Sequence, residues 1–187
     1  YVTMPDGCRL AVDVHLPDGN ASKRWPTVLI LTPYVRRFAV TAGSNVEPSP
    51  NSFKYRDMFV PRGYAVVVVD ARGTGASFGT RDSFRSPRER ADYRAIADWI
   101  VAQGWSDGRI GATGISYLGA ACDFLASTGH PAVKRDPAGV TTHHLDHQAA
   151  VMTGGGRVQP VQGLHHDVDG GVETEGVIGG VQIVVDR

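Results

Sequence analysis

The sequence predicts an α/β fold, a mostly parallel sheet with flanking helices, on three observations. Two are the continuous apolar runs Pro26-Thr-Val-Leu-Ile-Leu-Thr32 and Tyr64-Ala-Val-Val-Val-Val-Asp70, which lie between turn-forming residues as strands covered on both faces do. The third is a capped amphipathic helix opening at Ser86, which leads through a turn into a further strand. At 187 residues and 42% hydrophobic composition the chain is long enough for one good core. Its formal net charge of zero gives no electrostatic case for a nucleic-acid partner.

Taken in order, Arg9-Leu-Ala-Val-Asp-Val-His-Leu16 alternates polar and apolar residues, the pattern of a half-buried edge strand closed by Pro17-Asp18-Gly19. His15 falls on its polar face and reads as solvated. The first apolar run reads as a central strand, with Pro33-Tyr34-Val35 at its carboxyl end. Ligands of open α/β sheets gather outside the carboxyl ends of strands. Tyr34 is therefore placed either to donate its phenol to a bound oxygen or to pack over the sheet edge.

Residues 39 to 52, with Gly43, Pro48 and Pro50, read as loop, and Phe53, Met58 and Phe59 as a short helical face ended by Pro61 and Gly63. The second apolar run is the strongest strand signal. The loop after it, Asp70-Ala-Arg72-Gly73-Thr-Gly75-Ala-Ser77-Phe-Gly79, has no helix directly after Gly75, which argues against a dinucleotide-binding turn. An aspartate and an arginine fixing a glycine-rich loop is the simpler account. In the helix that follows, Ser86 is the N-cap, Pro87 takes the first position and Glu89 closes a capping box. Tyr93, Ile96, Ala97, Ile100 and Val101 share its core face, Asp92 and Asp98 read as solvated surface, and Gly104 stops it.

The rest of the chain is arranged around Gly108-Arg-Ile-Gly-Ala-Thr-Gly114-Ile-Ser116-Tyr117-Leu-Gly119-Ala-Ala121. A short apolar run, a serine flanked by glycines and small helix-forming residues fit a strand, a sharp turn and a helix. Gly114 and Gly119 leave room for strand and helix to pass closely. The Tyr117 amide opens the helix toward whatever Ser116 meets, where the helix dipole favours a developing oxyanion. A glycine-serine turn without chemistry is the alternative. The helix runs from 117 to 127 and stops at Gly129-His130-Pro131.

Two cysteines, Cys8 and Cys122, make no disulfide framework and have no metal-ligand neighbours, so both read as small buried hydrophobes. Neither a signal peptide nor a membrane-spanning run is visible, and the chain opens at Tyr1 without an initiator methionine. Localisation is left open, with the cytoplasm favoured unless a signal sequence lies upstream.

Residues 1 to 134 resemble the Xaa-Pro dipeptidyl-peptidase-like serine hydrolases, the group of cocaine esterase, α-amino-acid ester hydrolases and glutaryl acylases. The matching motifs are Met4-Pro-Asp6-Gly7-Cys-Arg9-Leu10, Thr32-Pro33-Tyr34, the stretch from Gly63 through Asp70-Ala-Arg72-Gly73-Thr-Gly75-Ala-Ser77, and Trp105-Ser-Asp107-Gly108 through Gly114-Ile-Ser116-Tyr117-Leu-Gly119. The serine motif has the family's G-x-S-Y-x-G form. The resemblance implies a partial α/β-hydrolase fold, truncated after the helix of the nucleophile elbow. It implies Ser116 as acylated nucleophile, and an oxyanion hole from the Tyr117 amide and the Tyr34 hydroxyl. It also implies small ester, amide or peptide substrates, with no metal and no organic cofactor. In this fold the acid and the histidine follow the serine, and neither is identified in the sequence.

Residues 135 to 187 are of another kind. They contain no Phe, Trp, Tyr or Lys, but ten of the 23 glycines and five of the seven histidines. Where the resemblance expects a buried strand, Arg135-Asp136-Pro137 would break one. The stretch is expected to be an atypical Gly/His-rich tail, poorly ordered or out of frame, with only Val181-Gln-Ile-Val-Val185 reading as a strand. His143-His144-Leu-Asp146-His147 and His165-His166-Asp167 match no metal site in spacing, and one of these histidines serving as base for Ser116 is suggested by chain order alone. Two classes of function follow: a serine hydrolase acting through Ser116, or a catalytically incompetent fragment or binding module that lacks the triad acid and base.

Overall fold

The computed structural model describes residues 1–19, 22–37, 39–42, 45–48, 50–83, 86–133 and 148–151. In chain order the elements are β1 (Val2–Thr3), β2 (Arg9–Leu10), β3 (Val12–His15), β4 (Trp25–Thr32), β5 (Ala39–Ala42), β6 (Asn45–Pro48), α1 (Pro50–Phe59), a 3-10 turn (Val60–Arg62), β7 (Ala65–Asp70), α2 (Pro87–Val101), β8 (Ser106–Ile115), α3 (Tyr117–Ser127) and β9 (Gln148–Val151). The main sheet has the order β3-β7-β4-β8-β9. Strands β7, β4 and β8 are parallel, and β3 and β9 run antiparallel at its two sides. Parallel neighbours need crossovers. The crossover from β4 to β7 contains α1, and the one from β7 to β8 contains α2.

The four valines of β7 divide the core. Val66 through Val69 are fully buried, as expected of a strand covered on both faces. Val66 and Val68, with Val28 and Ile30 of β4, pack against Tyr55 and Phe59 of α1. Val67 and Val69, with Leu29, Leu31, Ile110 and Ala112, pack against Tyr93, Ile96 and Ile100 of α2 and Ala121, Cys122 and Leu125 of α3. The side chains of successive strand residues point to opposite faces, so this one run feeds both layers.

Several expectations need correction. The expected strand over 9–16 breaks at Ala11, whose amide donates to Ser77 Oγ at 2.8 Å and whose carbonyl accepts from Asp70 N at 3.1 Å. Its first part, β2, pairs with β1, and its second, β3, pairs with β7. Within the stretch expected to be loop, β5 and β6 form an antiparallel pair and α1 begins at Pro50, a residue tolerated in the first helical turn. Strand β9, which pairs with residues 112–115 of β8, had no sequence signal. The strand expected at 181–185 and the tail histidines lie outside the described residues.

Asp92 is not solvated surface. It is buried and accepts from Arg72 Nε at 2.8 Å and Nη2 at 2.6 Å. Burial pushes its carboxyl up, and the guanidinium pulls against that. Arg72 also meets Asp6 at 2.8 Å, so one buried cation ties the β1–β2 hairpin loop, the glycine-rich loop and α2 together. Cys122 is buried as expected, but Cys8 is only partly buried, its thiol donating to the Phe78 carbonyl at 3.2 Å.

Gly114 is required sterically. A Cβ placed there would stand 2.1 Å from Leu118 Cβ and 2.7 Å from the Leu118 carbonyl carbon, where no rotamer change gives relief. Gly114→Ala is expected to cost about 1–3 kcal/mol, lowering the thermal midpoint by about 2–4 °C per kcal/mol. Gly104→Ala, where an added Cβ meets nothing within 4 Å, should leave it nearly unchanged; calorimetry on both variants checks this.

Candidate active site

The site begins with a backbone conformation. Ser116 joins β8 to α3 at φ 59 and ψ −121. Among the described residues only Val35, at φ 65, shares a positive φ without being glycine. Such conformations cost about 1–3 kcal/mol each. Serine at a helix N-cap ordinarily turns its hydroxyl onto the first-turn amides. Here Ser116 makes no such bond and its side chain is exposed, while its carbonyl accepts from Ala120 N at 3.0 Å to start the helix. Tyr117 is the first helical residue, where the amide points out of the N-terminal end.

Tyr34 leaves the carboxyl end of β4, its amide donating to Thr32 Oγ1 at 3.0 Å. Its ring stands edge-on to the ring of Tyr117, with centroids 6.2 Å apart and planes at 73°. It is 45% exposed, and among the described residues no hydrogen bond holds its hydroxyl. The ring therefore packs on the elbow residue while its phenol stays available. The structure brings all three sequence-selected residues, Ser116, Tyr117 and Tyr34, to the carboxyl ends of β4 and β8. The site thus offers an exposed hydroxyl on a strained turn, a helix-initiating amide and an accessible phenol.

Beneath the turn lies a polar cluster the sequence did not reveal as one. The buried Glu89 carboxylate accepts through Oε1 from the Tyr93 hydroxyl at 2.6 Å and from the Tyr117 hydroxyl. Arg81 Nη2 donates to the Tyr117 hydroxyl oxygen at 2.6 Å, and its guanidinium carbon sits 4.7 Å over the same ring. The expected capping box holds to the extent that Ser86 Oγ accepts from Glu89 N at 3.1 Å. Its acidic partner serves the elbow as well. Burial, with the Glu89 carboxylate alongside, pushes the Tyr117 hydroxyl up to about 12 and the Tyr93 hydroxyl well above the usual tyrosine range.

Neither described histidine is placed by these contacts beside Ser116. His130 is buried at the helix stop, its Nε2 bonded to Asp98 Oδ1 at 3.0 Å and its Nδ1 accepting from Ala132 N at 3.1 Å. Asp98 is exposed as expected, but engaged. His15 is partly buried rather than solvated, packs on Phe53 with ring centroids 6.4 Å apart, and is shifted toward its neutral form by that burial. Among the described residues no group of three or more His, Cys, Asp or Glu side chains could hold a metal ion, and no helix is long and apolar enough to cross a membrane.

The mostly parallel sheet with its crossover helices and the strained serine between strand and helix define an α/β-hydrolase fold. The model of the X-Pro dipeptidyl-peptidase (S15) family matches residues 6–175, and the chain belongs to that family. It is 40% identical over 142 residues to a provisionally named serine esterase of Mycobacterium bovis, covering 72% of this chain and 23% of that one. It is 41% identical over 118 residues to cocaine esterase of a Rhodococcus species, covering 63% and 19%. A CocE/NonD family hydrolase from Staphylococcus aureus superposes with a TM-score of 0.57 at 30% identity, over 72% of this chain and 25% of that structure. The chain thus spans about a quarter or less of the length of the relatives it matches.

Tyr117→Phe removes the hydroxyl between Glu89 and Arg81 and leaves both charges short of a partner, for an expected loss of about 1–3 kcal/mol of stability. The pH dependence has a definite sign. An unfolded-chain tyrosine ionises near about 10, whereas folded Tyr117 holds its proton to about 12. Its contribution is therefore complete below about pH 10 and is lost as pH rises toward 12. Denaturant titrations across this window should show a shallower alkaline decline for Tyr117→Phe than for the unaltered protein.

Proposed function

We propose that this chain carries the nucleophile and oxyanion hole of a serine hydrolase that cleaves a small ester, amide or peptide through an acyl-enzyme on Ser116. The observation that carries the reading is the exposed Ser116 side chain at φ 59, uncommitted to the helix it precedes. Relatives named as an esterase and as Xaa-Pro dipeptidyl-peptidases support the substrate class.

In this mechanism Ser116 Oγ attacks the carbonyl carbon as a general base takes the hydroxyl proton. The carbonyl oxygen becomes an oxyanion that accepts from the Tyr117 amide and the Tyr34 hydroxyl. Collapse restores the carbonyl, breaks the bond to the leaving group and releases an alcohol or amine that regains the proton. Water then releases the acid by the same route. The helix dipole of α3 favours the charge where it develops.

One observation favours a second reading, a binding module without turnover: both described histidines, His15 and His130, are engaged with other groups. Incubation with a fluorophosphonate probe separates the two. Covalent labelling that Ser116→Ala abolishes supports the hydrolase; a folded protein that takes no label supports the binding module. Under the hydrolase reading, Tyr34→Phe should lower kcat by about 10²-fold or more with a smaller change in KM, as measured for single oxyanion donors elsewhere.

A further inference from the structure

Asp70 ends β7 and is fully buried, so its charge must be met from other segments. Oδ1 accepts from the Arg36 amide at 2.6 Å, and Oδ2 accepts from Arg36 Nη1 at 2.9 Å and from the Ala76 amide at 3.0 Å. The glycine-rich loop is shaped around this carboxylate. Gly75 lies beside it at φ +53, and a Cβ there would stand 2.3 Å from Asp70 Oδ2. The register that pairs Asp70 with Thr32 sets the carboxylate against the segment that leaves β4 and carries Tyr34.

That segment is strained. Val35, at φ 65, occupies a region that a β-branched side chain avoids, and it lies between two anchors. On one side the Tyr34 amide is held by Thr32 Oγ1; on the other, Arg36 is held by Asp70, and its Nε approaches Asp13 Oδ1 at 3.3 Å. The second anchor fixes the residue directly after Val35, so its loss loosens the segment next to that left-handed conformation, and relaxation there turns the peptide that bears the Tyr34 ring.

We propose that Asp70 is a positioning residue for Tyr34: through Arg36 it fixes the strained 33–37 segment so that the phenol reaches the oxyanion. The inference rests on the reading of Tyr34 as an oxyanion donor, and a double-mutant cycle distinguishes the two. Asp70→Asn and Tyr34→Phe are made singly and together, and kcat and KM are measured on p-nitrophenyl acetate, with thermal midpoints to show folding.

Asp70→Asn is expected to lower kcat about tenfold with little change in KM, and to lower it less than about twofold once Tyr34 is Phe. An equal factor in both backgrounds, or no effect of Asp70→Asn, overturns the inference alone. A Tyr34→Phe variant with unchanged kcat, or an unaltered protein without turnover, overturns the oxyanion reading and the inference with it. Should Asp70→Asn fail to fold, Arg36→Gln, which removes the ion pair but keeps the Arg36 amide on Asp70, must show the same loss of effect in the Tyr34→Phe background.

Discussion

The steric bargain between Gly114 and Leu118 governs the rest of the structure. The turn at Ser116 brings the first helical turn of α3 back across the end of β8, so that a single methyl group at 114 would overlap Leu118. Only an absent side chain there permits the left-handed serine. The strain of that serine is offset by the surrounding core, where Leu118 packs with Val66, Val68 and Phe59. The hydroxyl is displayed because the backbone has no other way through.

The same economy appears in the polar groups around the turn. Buried charges here are joined to more than one segment: Asp70 binds the segment after β4 and the glycine-rich loop, Arg72 binds the β1–β2 loop and α2, and Glu89 binds α2 to the first residue of α3. Each is costly to bury alone and is met by several donors or acceptors. At the far end of α3, Arg90 and Arg94 of α2 donate to the carbonyls of Ser127 and Thr128. Both ends of the elbow helix are thus fastened to α2, one through a carboxylate and the other through guanidinium groups.

Much of this was legible in the sequence, because the signals concerned are local. Four valines between turn residues specify a doubly covered strand, Ser86-Pro87 marks a helix start, and a serine between glycines after an apolar run marks the elbow. What was hidden depends on partners far away in the chain. A helical wheel assigns Asp92 to solvent because it cannot register Arg72, and a capping-box pattern accounts for the Glu89 amide but not for the hydroxyls that its carboxylate meets on Tyr93 and Tyr117. The β5–β6 pair was obscured by the glycine and proline residues around it. Strand β9 exists through pairing with β8 rather than through any marked propensity of Gln-Ala-Ala-Val. Family resemblance contributed what spacing could not, the prominence of Tyr34, whose position at a strand end was compatible with plain packing.

The account stands or falls on whether the displayed hydroxyl, the helix amide and the phenol address one oxygen atom. A crystal structure of the protein after reaction with a fluorophosphonate measures this directly. The account predicts phosphorus bonded to Ser116 Oγ, with one phosphoryl oxygen about 2.7–3.1 Å from both the Tyr117 nitrogen and the Tyr34 hydroxyl. An adduct whose phosphoryl oxygen turns away from either donor, or phosphorus bonded to another residue, would contradict it.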